Sequence, residues 1–163
     1  MPFHETEIQQ LVSDIWSTML GMDTQPCDQL DWLNRDEWIG QVKIHGAREL
    51  TVTLSGSDQM VRLATAAMFD VNGDAATSDL LRDTWGELTN MVAGAFKSLL
   101  PGNCFLGLPS VTDFGVDAPS ASNYRILTEV GFHCGEEQLR VTIIDRRSTI
   151  RTPANDLADL VAQ

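Results

Sequence analysis

The chain has 163 residues, 43% of them apolar and 21% charged, which suits one soluble globular domain with its own core and not a disordered segment. Eleven basic residues against 23 acidic ones give a formal net charge of −12, which argues against nucleic acid, since a phosphate backbone needs a basic surface to release its counterions. No run approaches the roughly 18 apolar residues of a membrane span, no cationic amphipathic helix is present, and the opening MPFHETEI is no signal peptide, so a cytoplasmic location is expected.

In chain order, Glu5–Gly21 reads as an amphipathic helix, with Ile8, Leu11, Val12, Ile15, Trp16 and Met19 at helical spacing and Gly21 as its stop. Met22–Asn34, with Pro26 and several aspartates, reads as a loop. Trp38–Leu54 alternates as a β-hairpin with its turn around His45-Gly46-Ala47-Arg48. Ser55–Asp58 then caps a helix over Gln59–Phe69, and Asp70–Ala76 is a loop. A long helix follows over Thr77–Pro101, with Ser78 as its expected N-cap. Beyond it, Cys104–Val111 reads as a short strand, Phe114–Val116 as an uncertain one and Asp117–Asn123 as a loop. Tyr124–Cys134 and Gln138–Asp145 form a second hairpin across Gly135-Glu136-Glu137, and Thr152–Gln163 reads as a short helix.

Metal and nucleophile chemistry find little support. Cys27, Cys104 and Cys134 are odd in number and far apart, as expected of reduced, partly buried residues. His4, His45 and His133 lack metal-ligand spacing. Asp70–Asp74 resembles half a calcium loop, but Leu81 stands where the twelfth-position acid belongs.

The long helix carries the richest pattern. At about 100° per residue, Leu81, Trp85, Leu88, Val92, Phe96 and Leu99 make its core face. Asp83, Glu87, Asn90, Gly94 and Lys97 fall opposite in one stripe roughly 80° wide. Such stripes are ordinarily just solvated. A comparison of the two halves of the chain gives this one more weight.

Val42-Lys-Ile-His45 and Leu50-Thr-Val-Thr53 echo Val130-Gly-Phe-His133 and Leu139-Arg-Val-Thr142, and Asp14-Ile-Trp16 echoes Asp83-Thr-Trp85. Helix followed by hairpin thus occurs twice, which implies a duplication about a pseudo-two-fold axis. Where the second helix has Glu87 and Asn90, the first has Thr18 and Gly21. A purely structural need would act on both copies, so a polar pair held by one copy points to chemistry or a partner.

Asp83-x-x-x-Glu87-x-x-Asn90 within WGELTNMVAGAFKSLL, followed by LGLPSV at Leu106–Val111 with Pro109 inside it, resembles the signature of the CheC/CheX family of chemotaxis phosphatases. A single site, in the second half-repeat, makes the likeness CheX-like. The resemblance implies an α+β fold: a mainly antiparallel sheet of about six strands, two long helices on one face, and an internal pseudo-two-fold duplication. It also implies hydrolysis of the aspartyl phosphate on a CheY-like receiver domain of a response regulator. Glu87 would dock to the receiver's lysine and Asn90 would orient the attacking water, with Asp83, Gly94 and Lys97 as partner contacts. Any Mg²⁺ is expected on the receiver and none on this chain. The resemblance further implies a homodimer paired through sheets, weakly supported by strands without obvious edge-blocking lysines or prolines. The alternative reading is a non-catalytic module that docks a receiver or another signalling protein through the same helix.

Overall fold

The computed structural model describes residues 5–28, 37–113 and 124–149. The expectations for Phe114–Val116, Asp117–Asn123 and the Thr152–Gln163 helix lie outside the described residues. Helix α1 (Glu5–Ile15) continues through a π-turn at Trp16–Leu20 and stops at Gly21, whose φ of 64° is left-handed. Strand β1 (Gln25–Cys27) follows, then the hairpin of β2 (Glu37–Gly46) and β3 (Leu50–Ser57), and then helix α2 (Asp58–Phe69). Helix α3 (Ser78–Lys97) leads to two short strands, β4 (Cys104–Leu106) and β5 (Ser110–Thr112). The second hairpin is β6 (Tyr124–Cys134) with β7 (Glu137–Thr149).

The fold is α+β, with one antiparallel sheet of seven strands in the order β1-β6-β7-β3-β2-β4 and β5 also pairing with β2. The sheet has seven strands against about six expected, and the differences arise at its edges, where sequence signals are weakest. Gln25–Cys27, read from its proline as loop, is a strand on β6; Pro26 fits there because an edge strand can lack one donor. The Cys104–Val111 run is interrupted at Gly107-Leu108-Pro109 and so divides into β4 and β5, both on β2. The outermost strands are thus three residues long, and β1 covers only Gly131–His133 of β6, whose remaining outer side has no partner strand among the described residues.

Duplication is visible in the pairing register. At the centre of the sheet Thr53 pairs with Thr142, its own counterpart, while Leu50 pairs with Asp145 and Gly56 with Leu139, as a two-fold axis through that point requires. The short strand after each long helix crosses to the other half: β1 joins β6, and β4 and β5 join β2. The counterpart tryptophans Trp16 and Trp85 meet edge to face, with centroids 6.1 Å apart and planes at 88°.

All three helices lie on one sheet face. There Ile8, Val12, Trp16, Met60, Val61, Ala64, Leu81, Trp85, Leu88, Val92 and Phe96 pack against Trp38, Val42, Ile44, Val52, Leu54, Val130, Leu139 and Val141. Alternation along β2 explains this, since Trp38, Gly40, Val42 and Ile44 are buried and the residues between them are not. Helix α3 sits close because glycines lie beneath it. A Cβ on Gly40 would collide with the Thr89 side chain, and one on Gly56 with the Trp85 ring. The Trp85 indole N–H donates to the Leu54 carbonyl at 2.9 Å, which sets the depth of the contact.

Candidate functional site

Helix α3 is capped one residue earlier than expected. The Thr77 hydroxyl, and not Ser78, accepts the Leu80 amide at 3.2 Å. Its far end also differs from expectation: regular helix stops at Lys97, so Leu99 swings out to 40% exposure and Leu100 takes the buried position. Between these ends the core face is as the spacing predicts, with Leu81, Trp85, Leu88, Val92 and Phe96 buried.

The opposite stripe is built as the spacing predicts too. Asp83 and Glu87 are exposed, and Asn90, Gly94 and Lys97 are half-buried. No side-chain hydrogen bond or ion pair ties Asp83, Glu87, Asn90 or Lys97 to another described residue, whereas the nearby Arg82 is held by Asp113 at 3.5 Å and Asp79 at 3.8 Å. Glu87 and Asn90, three residues apart, project from adjoining positions one turn apart. Together they offer one carboxylate and one neutral amide able to donate and accept.

The chain from Leu106 to Val111 forms a wall along this helix, which the helical pattern alone did not reveal. The Leu106 Cδ1 lies 3.7 Å from where a Gly94 Cβ would stand, and Val111 Cγ2 and Pro109 Cβ lie 3.4 and 4.0 Å from that of Gly86. The segment therefore runs beside two turns of α3, from Gly94 back to Gly86, with Asn90 between. Neither glycine is required by the wall, since a Cβ on either would meet it at ordinary van der Waals distance, so the sequence carried no signal for this neighbour. The wall is anchored to β2, since the Gly107 amide donates to the Lys43 carbonyl at 2.8 Å and the Ala47 amide to the Asn103 carbonyl at 2.9 Å.

Beneath that anchor lies a polar cluster. The Arg146 guanidinium donates to Glu49 Oε2 at 2.8 Å, to the Ile44 carbonyl at 2.8 Å and to the Leu50 carbonyl at 3.2 Å; His45 Nδ1 lies 3.2 Å from Glu49 Oε2. The Gly46 amide first, then His45 and Arg146, hold the Glu49 carboxyl below its ordinary range. On the outer sheet face, partial burial raises Glu37, with Arg140 opposing.

The first half-repeat holds no counterpart of the Glu87–Asn90 pair. At the counterpart of Glu87 and Asn90, α1 has already loosened into the π-turn holding Thr18 and terminates at Gly21. Among the described residues, no group of three His, Cys, Asp or Glu side chains is arranged to hold a metal ion. The half-calcium motif is instead a short 3₁₀ turn whose Gly73 and Asp74 carbonyls accept from Arg62 at 3.1 and 3.3 Å. No helix among the described residues is long and apolar enough to cross a membrane.

Comparison with known proteins bears on the fold and the family. The fold resembles the chemotaxis protein CheX of Vibrio vulnificus, with a TM-score of 0.71 at 17% identity, covering 85% of this chain and 93% of that one. It also resembles CheX of Desulfovibrio desulfuricans, with a TM-score of 0.64 at 19% identity over 86% and 97% of the two chains. A third likeness is to a CheX–CheY–BeF3–Mg²⁺ complex from Borrelia burgdorferi, with a TM-score of 0.64 at 14% identity over 89% and 98%. No curated protein matches the chain in sequence. The family model of the chemotaxis phosphatase CheX matches residues 38–122, more than half of the chain and the whole of α3 with its flanking wall. The chain belongs to the CheX family.

Proposed function

We propose that this protein hydrolyses the aspartyl phosphate of a CheY-like receiver domain, with Asn90 orienting the attacking water and Glu87 docking to the receiver's lysine. One observation carries the reading: in a CheX-family chain, Glu87 and Asn90 stand one turn apart on an open stripe and have no side-chain partner among the described residues. The CheX–CheY complex in this fold supports the choice of partner.

The chemistry needs little from the helper. Water oxygen bonds to phosphorus as the bond from phosphorus to the aspartyl oxygen breaks; the carboxylate leaves with the electron pair and inorganic phosphate is released. A receiver brings its own Mg²⁺ and lysine to hold the phosphoryl oxygens. What remains is to hold a water in line with the breaking bond. The Asn90 amide can accept one hydrogen bond and donate another without changing charge. Glu87 pairs with the lysine ammonium and so sets the register of the approach. Asp83, Gly94 and Lys97 border the same surface as partner contacts.

The test is decay of a phosphorylated receiver in the presence of Mg²⁺. Asn90→Ala is expected to slow dephosphorylation by about 10²-fold or more while the receiver still binds. Glu87→Ala is expected to lose binding. A wild-type chain that binds the receiver and leaves its decay unchanged would point to the non-catalytic docking module instead. Cytoplasmic location and a homodimer belong to the same family reading; sedimentation equilibrium tests the latter.

A further inference from the structure

We propose that Leu108 is an apolar docking knob for the receiver domain, placed at the level of Asn90 so that part of the partner's recognition is hydrophobic. The proposal rests on the reading above, in which a receiver approaches α3.

Leu108 is 92% exposed, more than any other large apolar residue described. A lone exposed leucine is ordinary on a protein surface. This one is not on a loose tip. Gly107, just before it, donates its amide to Lys43 of β2, and Ser110, two residues after it, pairs with Gln41 of the same strand. Pro109 follows it directly with a fixed φ. The side chain is therefore held out into solvent by a backbone tethered on both sides.

Its place along α3 is equally defined. Leu106 rests against Gly94 and Pro109 against Gly86, so the chain between them, which holds Leu108, passes the level of Asn90 along the helix. A receiver whose phosphate reaches Asn90 and whose lysine reaches Glu87 must bring the rim of its site flush with this wall. Glu87 anchors and registers the receiver through one charged contact, which solvent and salt screen. Burying one leucine beside it adds affinity that salt does not screen, worth roughly tenfold or somewhat more. Phe105 makes a built-in control. It is 64% exposed, but strand alternation turns it to the sheet face away from α3, since its neighbours Cys104 and Leu106 point inward.

The experiment titrates a BeF3-activated receiver for Kd and, separately, measures phosphate release against the concentration of phosphorylated receiver for KM and kcat, for wild type, Leu108→Ser, Leu108→Met and Phe105→Ser. Leu108→Ser is expected to raise Kd and KM about 10- to 30-fold with kcat unchanged. Leu108→Met and Phe105→Ser should behave as wild type. Unchanged Kd and KM in Leu108→Ser, or an equal loss in Phe105→Ser, would overturn the proposal, as would a loss confined to kcat. A change in sedimentation with receiver binding intact would also overturn it, assigning the knob to a second copy. Binding without turnover by wild type sinks the phosphatase reading and leaves Leu108 to be decided by Kd alone. A wild-type chain that binds no receiver overturns both.

Discussion

Glu49 shows how single side chains prepare the site without belonging to it. Its carboxylate gathers the Gly46 amide, the Arg146 guanidinium and His45, fastening the β2–β3 turn to β7. Because its folded pKa lies below the unfolded value, its contribution is fully present above about pH 4.3 and is lost as pH falls through the lowered folded value. Glu49→Gln should therefore lower Tm at pH 7, and the gap from wild type should close on acidification; thermal melts across pH 2–7 check this. At this scale Glu87 and Asn90 were legible in the sequence, because helical spacing alone aligns them. Leu108 was not, since nothing local tells an exposed leucine from a buried one.

Helix α3 balances two demands that its glycines make visible. Gly40 and Gly56 on the strands beneath are needed by the fold, because Thr89 and Trp85 occupy the space a side chain would take. Gly94 is different. A Cβ there would meet only Leu106 Cδ1 at ordinary van der Waals distance, yet a glycine in a helix interior costs up to about 1 kcal/mol against alanine. Gly94→Ala should accordingly stabilise the protein by about 0.5–1 kcal/mol in urea titration. If a receiver backbone approaches closely there, the same substitution should weaken binding of the activated receiver. The helix core face was readable from periodicity. Its ends were not: whether Thr77 or Ser78 caps, and whether Leu99 or Leu100 turns inward, depends on where the first and last turns meet their neighbours.

Across the whole molecule, the duplication is close to symmetric at the centre of the sheet and broken at the helices. Trp16 and Trp85 are counterparts packed on each other, but only Trp85 has an acceptor, the Leu54 carbonyl; the buried Trp16 Nε1 has no partner among the described residues. Trp85→Phe should thus cost about 1 kcal/mol more than Trp16→Phe, because it also removes a buried hydrogen bond. Paired urea titrations with equal m-values would check it.

By itself the sequence determined both hairpins, the amphipathic helices and the shared helix face of Glu87 and Asn90, which rest on periodicities of 2 or 3.6 and are local by nature, and the repeat, which shows as an echo between the halves. Only the tertiary structure decided which short segments become edge strands, since Gln25–Cys27, Cys104–Leu106 and Ser110–Thr112 are too short to carry a period and exist because a hairpin from the other half offers unpaired backbone. It also decided what surrounds Asn90. That wall crosses from one half-repeat to the other, and a contact between residues distant in the chain leaves no mark in the local pattern of either.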